Sequence, residues 1–139
     1  FYEKLILKQE EKITRLNKSL KAWELRAQQA RDSVKRYDGS DPRTPAYRYK
    51  KARDENYSNW LKTPWQPRYH PFKGYTLKMR YKNKYNSFKR AFKYMKDKAN
   101  KFRQLELVYD GYVRSTKNAI KASKRSITNY KKKYPRQLR

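Results

Sequence analysis

Apolar residues return every seven positions through residues 1–37. Ile6, Ile13, Leu20, Ala27 and Val34 form one series. Tyr2, Leu16, Trp23, Ala30 and Tyr37 form the other, with Gln9 as its polar member. This stripe keeps one side of a helix apolar over about five heptads and predicts a coiled-coil-like helix over 2–37. Ala27 and Ala30 narrow the stripe near its end, so close backbone approach is expected there. Asp38-Gly39 is a turn signal and Pro42 cannot continue a helix, so the helix stops at Tyr37.

A second, shorter helix is predicted over 45–62. Thr44 offers an N-cap hydroxyl, and Pro45 presets φ in the first turn. Tyr49, Tyr57, Trp60 and Leu61 make its apolar side, and Pro64 ends it. In the next stretch, PWQPRYHPFKG, prolines remove donors and fix φ, which predicts an extended, polyproline-like strap.

The seven-residue spacing then resumes. Tyr81, Phe88, Met95, Phe102 and Tyr109 form one series; Leu77, Tyr85, Phe92 and Ala99 take the second position. Val113, Ile120, Ile127 and Tyr134 resume that position after Glu106. Asp110-Gly111 is expected to break or kink the region, giving helices over 76–109 and 112–133. YTLKMRY at 75–81 also alternates apolar and polar residues, as a short strand would, but the continuing spacing favours helix. The chain therefore reads as all-α. It has a heptad helix at 1–37, a Pro/aromatic linker with a short helix at 38–75, a basic helical region at 76–134 and a basic tail at 135–139. The long helices joined by the strap are expected to pair as an antiparallel hairpin.

Charge changes this picture. The 139 residues carry a formal net charge of +27, and much of the 36% hydrophobic content is tyrosine. That supplies a thin core. Self-repulsion of this size opposes compaction, so full ordering is expected to depend on a polyanionic partner. The charge is also lopsided. Residues 1–37 hold ten bases and five acids, whereas 38–139 hold twenty-nine bases and seven acids. The first helix is accordingly expected to contact protein, through Ile6, Ile13, Leu16, Leu20 and Trp23.

From Asn56 to Lys96, 41 residues carry eleven Lys or Arg, eleven aromatics and no carboxylate. The rings at helical spacing belong to a core stripe. The charges ask for more, because an ordinary solvated face mixes both signs. Lys and Arg neutralise phosphates with counterion release, and an acid-free surface avoids repelling a nucleic-acid backbone. The candidate RNA-binding bases in this part are Arg68, Lys73, Lys78, Arg80, Lys82, Lys84, Lys89, Arg90 and Lys93. After Asp110 come ten further bases and no acid. Arg114, Lys117, Lys121, Lys124 and Arg125, at spacings of three and four, make a basic helical face, expected opposite Val113, Ile120 and Ile127. Lys131, Lys132 and Lys133 extend it. In the strap, Trp65, Tyr69 and Phe72 are candidates for stacking on bases or docking into a partner groove.

Little supports catalysis. With no cysteine and one histidine, His70, the usual transition-metal ligands are missing. Glu10-Glu11 and Asp54-Glu55 are adjacent pairs, which do not face each other on a helix. Three glycines form no phosphate-cradling loop, and no nucleophile–base arrangement is present. Neither an enzyme, a cofactor nor a small-molecule substrate is expected, and no apolar run approaches the ~18–20 residues of a membrane span. Named nucleic-acid modules do not fit either, so recognition of shape and phosphate is expected rather than base reading.

A basic chain with long helices, a proline-rich strap and a basic tail resembles the peripheral proteins of ribosomes, which thread extended segments through folded rRNA. The sequence opens on Phe1, as a chain processed after organelle import would, or one that starts within a longer chain. In general character it is similar to the lineage-specific accessory proteins of mitochondrial ribosomes. That resemblance implies a structural role in the mitochondrial matrix, with rRNA and neighbouring ribosomal proteins as partners. Two other readings compete. A cytoplasmic or cytoskeletal protein on an acidic lattice, such as a microtubule, would also use basic, Tyr- and Pro-rich segments. A DNA-compaction protein would use residues 1–37 as a dimerising zipper.

Overall fold

The structure, a computed structural model, describes the backbone of residues 2–64 and 71–133 and the side chains of 2–64 and 77–133. Its described residues form three helices: α1 (Tyr2–Tyr37), α2 (Pro45–Lys62) and α3 (Pro71–Lys133). The all-α expectation holds, and α1 and α2 have the bounds that their turn and cap signals predict. No strand occurs among the described residues, so YTLKMRY is helical.

The expected break at Asp110-Gly111 is absent. One helix of 63 residues runs through it. An interior glycine costs about 1 kcal/mol relative to alanine, which is too little to stop a helix held by packing on both sides. The stripe continues past Gly111 through Val113, Thr116, Ile120, Ser123 and Ile127, all buried or half-buried. The helix also begins earlier than 76. Pro71 stands at its first position, where a missing N–H is no loss. Residues 71–75, expected in the strap, are therefore helical, while 65–70 lie outside the described residues.

The chain divides into two compact units: Phe1–Ala30 with Gln104–Arg139, and Arg31–Arg103. In the first, part of α1 lies along part of α3. Ile6 and Ile120 are each 7% exposed, and Ala27, Ala30, Thr116 and Ser123 are buried with them. The Trp23 ring centroid sits 4.5 Å from that of Tyr112 and 6.0 Å from that of Tyr109. The end of the α1 segment thus meets the start of the α3 segment, so the two run antiparallel. The Thr116 hydroxyl is satisfied by donating to the Tyr112 carbonyl at 2.8 Å.

The second unit begins with the α1–α2 turn. Gly39 has φ +82°, and a Cβ there would lie 2.9 Å from the Phe92 ring. Glycine is required on both counts. Ser40 donates its N–H and hydroxyl to Asp38 Oδ1 at 2.9 and 2.6 Å. Asp41 accepts from the Arg43 backbone N–H at 3.0 Å and from its Nε at 3.3 Å. Those hydrogen bonds, the backbone one first, hold the Asp41 carboxyl below its ordinary value. Thr44 is the N-cap of α2, accepting from the Tyr47 N–H at 3.4 Å.

Helix α2 then runs antiparallel to α3. Tyr49 meets Phe88, and both Tyr57 and Trp60 meet Tyr85, with ring centroids 5.2–6.4 Å apart. Arg53 lies over Phe92, its guanidinium carbon 4.8 Å from the ring centroid. Tyr37 stacks on Phe102 at 5.7 Å, nearly parallel. Among the described residues no large side chain is fully buried. The core is a set of contact stripes, as the scarcity of Leu, Ile and Val implies.

Candidate nucleic-acid interface

The side chains that could meet a polyanion follow from which positions the stripe consumes. On α3 two series of non-exposed positions recur every seven residues. One series is Tyr81, Phe88, Met95, Phe102, Tyr109, Thr116, Ser123 and Tyr130. The other is Lys78, Tyr85, Phe92, Ala99, Glu106, Val113, Ile120 and Ile127. Of the described bases on α3 outside these series, all but Lys82 and Lys98 are exposed. Arg80, Lys84, Lys89, Arg90 and Lys93 are exposed, as are Arg114, Lys117, Lys121, Lys124, Arg125, Lys131, Lys132 and Lys133. Lys82 is half-buried, with its ammonium 5.6 Å from the Trp60 ring centroid; that of Lys89 is 5.8 Å from the Tyr85 ring. Long basic side chains of this kind lay their stems on rings while the charge stays in water.

Lys78 departs from the expectation. It is 7% exposed, and its ammonium donates to the carbonyls of Trp60 and Thr63, each at 2.7 Å. These carbonyls belong to the C-terminal end of α2, where unsatisfied C=O groups carry the negative end of the helix dipole. Lys78 is an internal cap and is not offered to a phosphate. The expected stripe residue Leu77 is 40% exposed instead. Seven residues before Tyr85 lies Lys78, not Leu77, so the spacing was sound and the apolar neighbour misleading.

The basic face after Gly111 also sits differently from expectation. Lys117, Lys121 and Lys124 each follow a buried residue, namely Thr116, Ile120 and Ser123. Consecutive residues are about 100° apart around a helix. Those three bases therefore flank the buried stripe, while Arg114 and Arg125 lie further round, on the side away from it.

Two groups of candidates have other places. Ile6 is buried in the first unit, Trp23 packs on Tyr109 and Tyr112, and Ile13, Leu16 and Leu20 are half-buried along the same stripe. Expected to dock a neighbouring protein, this stripe is engaged within the chain at both its ends. Arg68, Trp65 and Tyr69 lie outside the described residues, and of Lys73 and Phe72 the structure describes only helical backbone. Sequence reasoning missed Thr116 and Ser123 as buried positions. Counting on by seven from Tyr109 would have found both.

Ion pairs do not occupy the exposed bases named above on α3 between Arg80 and Arg125, among the described residues. No group of three His, Cys, Asp or Glu gathers among the described residues, and no helix is long and apolar enough to cross a membrane. What the surface offers chemically is fixed positive charge on a long helix. Comparison with protein-family models, with curated proteins and with solved structures found no match.

Proposed function

We propose that the chain is a structural RNA-binding protein of a ribosome, holding rRNA through phosphate contacts along α3. The observation that carries this reading is the exposed, unpaired bases on α3 within an acid-free stretch from Asn56 to Lys96. A surface evolved for solubility alone mixes signs, and this one does not. Phosphate neutralisation with release of counterions is the interaction that such a surface serves. The mitochondrial matrix and neighbouring ribosomal proteins belong to the same proposal. They rest on the general character that the chain shares with accessory proteins of mitochondrial ribosomes.

Sedimentation of the native protein, with and without ribonuclease, tests it. The protein should travel with a large particle and be released or shifted by ribonuclease. Travel with an assembly that ribonuclease leaves intact refutes the RNA reading and favours an acidic protein lattice. In a binding assay with on the order of ten phosphate contacts, affinity should fall ~10³–10⁵-fold between 50 and 200 mM salt.

A further inference from the structure

Most described rings of the second unit are spent on one another. Tyr37 stacks on Phe102, Tyr49 meets Phe88, and Tyr57 and Trp60 meet Tyr85. Tyr94 is different. It is 59% exposed and pairs with no other ring among the described residues. Its close neighbour is the Lys98 ammonium, 4.7 Å from its ring centroid. The same ammonium lies 5.4 Å from the ring of Tyr37, which is itself stacked on Phe102. Lys98 is thus fixed against a packed ring, and it holds its charge beside Tyr94.

Further cations surround this ring. Residues four apart on a helix are surface neighbours. Arg90 and Lys98 bracket Tyr94 at that spacing, and Lys101 follows two turns on; Arg90 and Lys101 are exposed. One carboxylate, the exposed Asp97, stands three residues from Tyr94, so three cations outnumber one acid around a flat ring with open surface, which matches the two halves of a nucleotide. The π-face suits a base, and the cations suit the phosphates on either side of it. The Lys98 contact supports the helix, yet it leaves much of a ring that is 59% exposed open to solvent.

We propose that Tyr94 stacks on an unpaired nucleobase of the bound RNA, with Arg90, Lys98 and Lys101 placed around the adjoining phosphates. This rests on the RNA-binding reading and adds to it one position where a base, not only the backbone, is held. Stacking of this kind is tolerant of base identity, so the site selects an unpaired nucleotide without selecting its sequence.

The test uses the full chain and two RNA hairpins that differ by a single bulged nucleotide. Wild type should bind the bulged hairpin more tightly. Tyr94→Leu should lose roughly ten-fold on the bulged hairpin and stay within about two-fold on the paired one. Tyr94→Phe should keep the preference, since the flat face remains. The salt slope should not change in either variant, because no charge is removed. Helical circular dichroism and the melting curve of Tyr94→Leu should match wild type. An equal loss on both hairpins, or no loss on either, overturns the stacking assignment and leaves the RNA reading standing. Failure of wild type to bind either hairpin overturns both.

Discussion

Lys78 gives the sharpest test of how this chain divides its lysines between structure and binding. Replacing it with methionine keeps an unbranched, helix-favouring side chain of similar length and removes the ammonium. The Trp60 and Thr63 carbonyls then lose donors that stand at 2.7 Å. A hydrogen bond to a charged group contributes ~1.5–3 kcal/mol, and a cation at a partly buried helix C-terminus up to ~2 kcal/mol. Against this stands the cost of holding an ammonium at 7% exposure, which offsets a good part of the gross gain. The net loss for Lys78→Met should be about 2–3 kcal/mol, a substantial share of the stability of a small chain.

The loss should be local. Lys78 and α2 belong to the unit Arg31–Arg103. Native-state hydrogen exchange reads this directly. The Thr63 N–H, which donates to the Asn59 carbonyl at 3.0 Å, should lose protection roughly 30-fold or more, the equivalent of ~2 kcal/mol. Amides in the first part of α1 should change little. In RNA binding, Lys78→Met should leave the salt slope unchanged, whereas Lys84→Met should reduce it by about 0.7–0.9. Unchanged exchange at Thr63, or a slope that falls equally in both variants, would refute the assignment of Lys78 as an internal cap.

Gly39 and Gly111 should respond in opposite directions. Gly39→Ala places a Cβ 2.9 Å from Phe92 at φ +82° and should destabilise by at least ~1–2 kcal/mol. Gly111→Ala meets nothing within 4 Å inside a continuous helix and should stabilise by about 1 kcal/mol; urea denaturation measures both. Converting Lys117, Lys121 and Lys124 together to Gln should lower the salt slope of RNA binding by about 2–3 while leaving the urea midpoint nearly unchanged. A shifted midpoint with an unchanged slope would place those three side chains in the fold and not at the phosphates.

The sequence alone determined α1 and α2 because their limits are written in local chemistry. Asp38-Gly39 and Pro42 stop the first, Thr44-Pro45 starts the second, and Pro64 follows its end. It also determined the seven-residue period of the buried stripe, and with it the solvent-facing bases between Arg80 and Arg125. Those bases are legible because most side chains outside a period-seven stripe point to water; Lys82 and Lys98, half-buried against rings, are the departures. The period told more than the residue types did. Lys78, Thr116 and Ser123 obey it, yet an eye set for apolar residues passes over all three.

Only the tertiary structure decided what the polar members of that stripe do. Lys78 is 15 residues beyond Thr63 in the chain, and nothing local tells that α2 returns along α3 and brings its carbonyls to the ammonium. The continuity of α3 has the same origin. Gly111 weakens the helix locally, while packing on both sides of it holds the helix together. Tyr94 and Lys98 are four apart and legible as neighbours. That Tyr37 fixes Lys98 from the other side is not, because the two residues lie on different helices. Local rules set where each helix stops and which side it hides. Contacts between helices set which charges are spent within the fold and which remain for a partner.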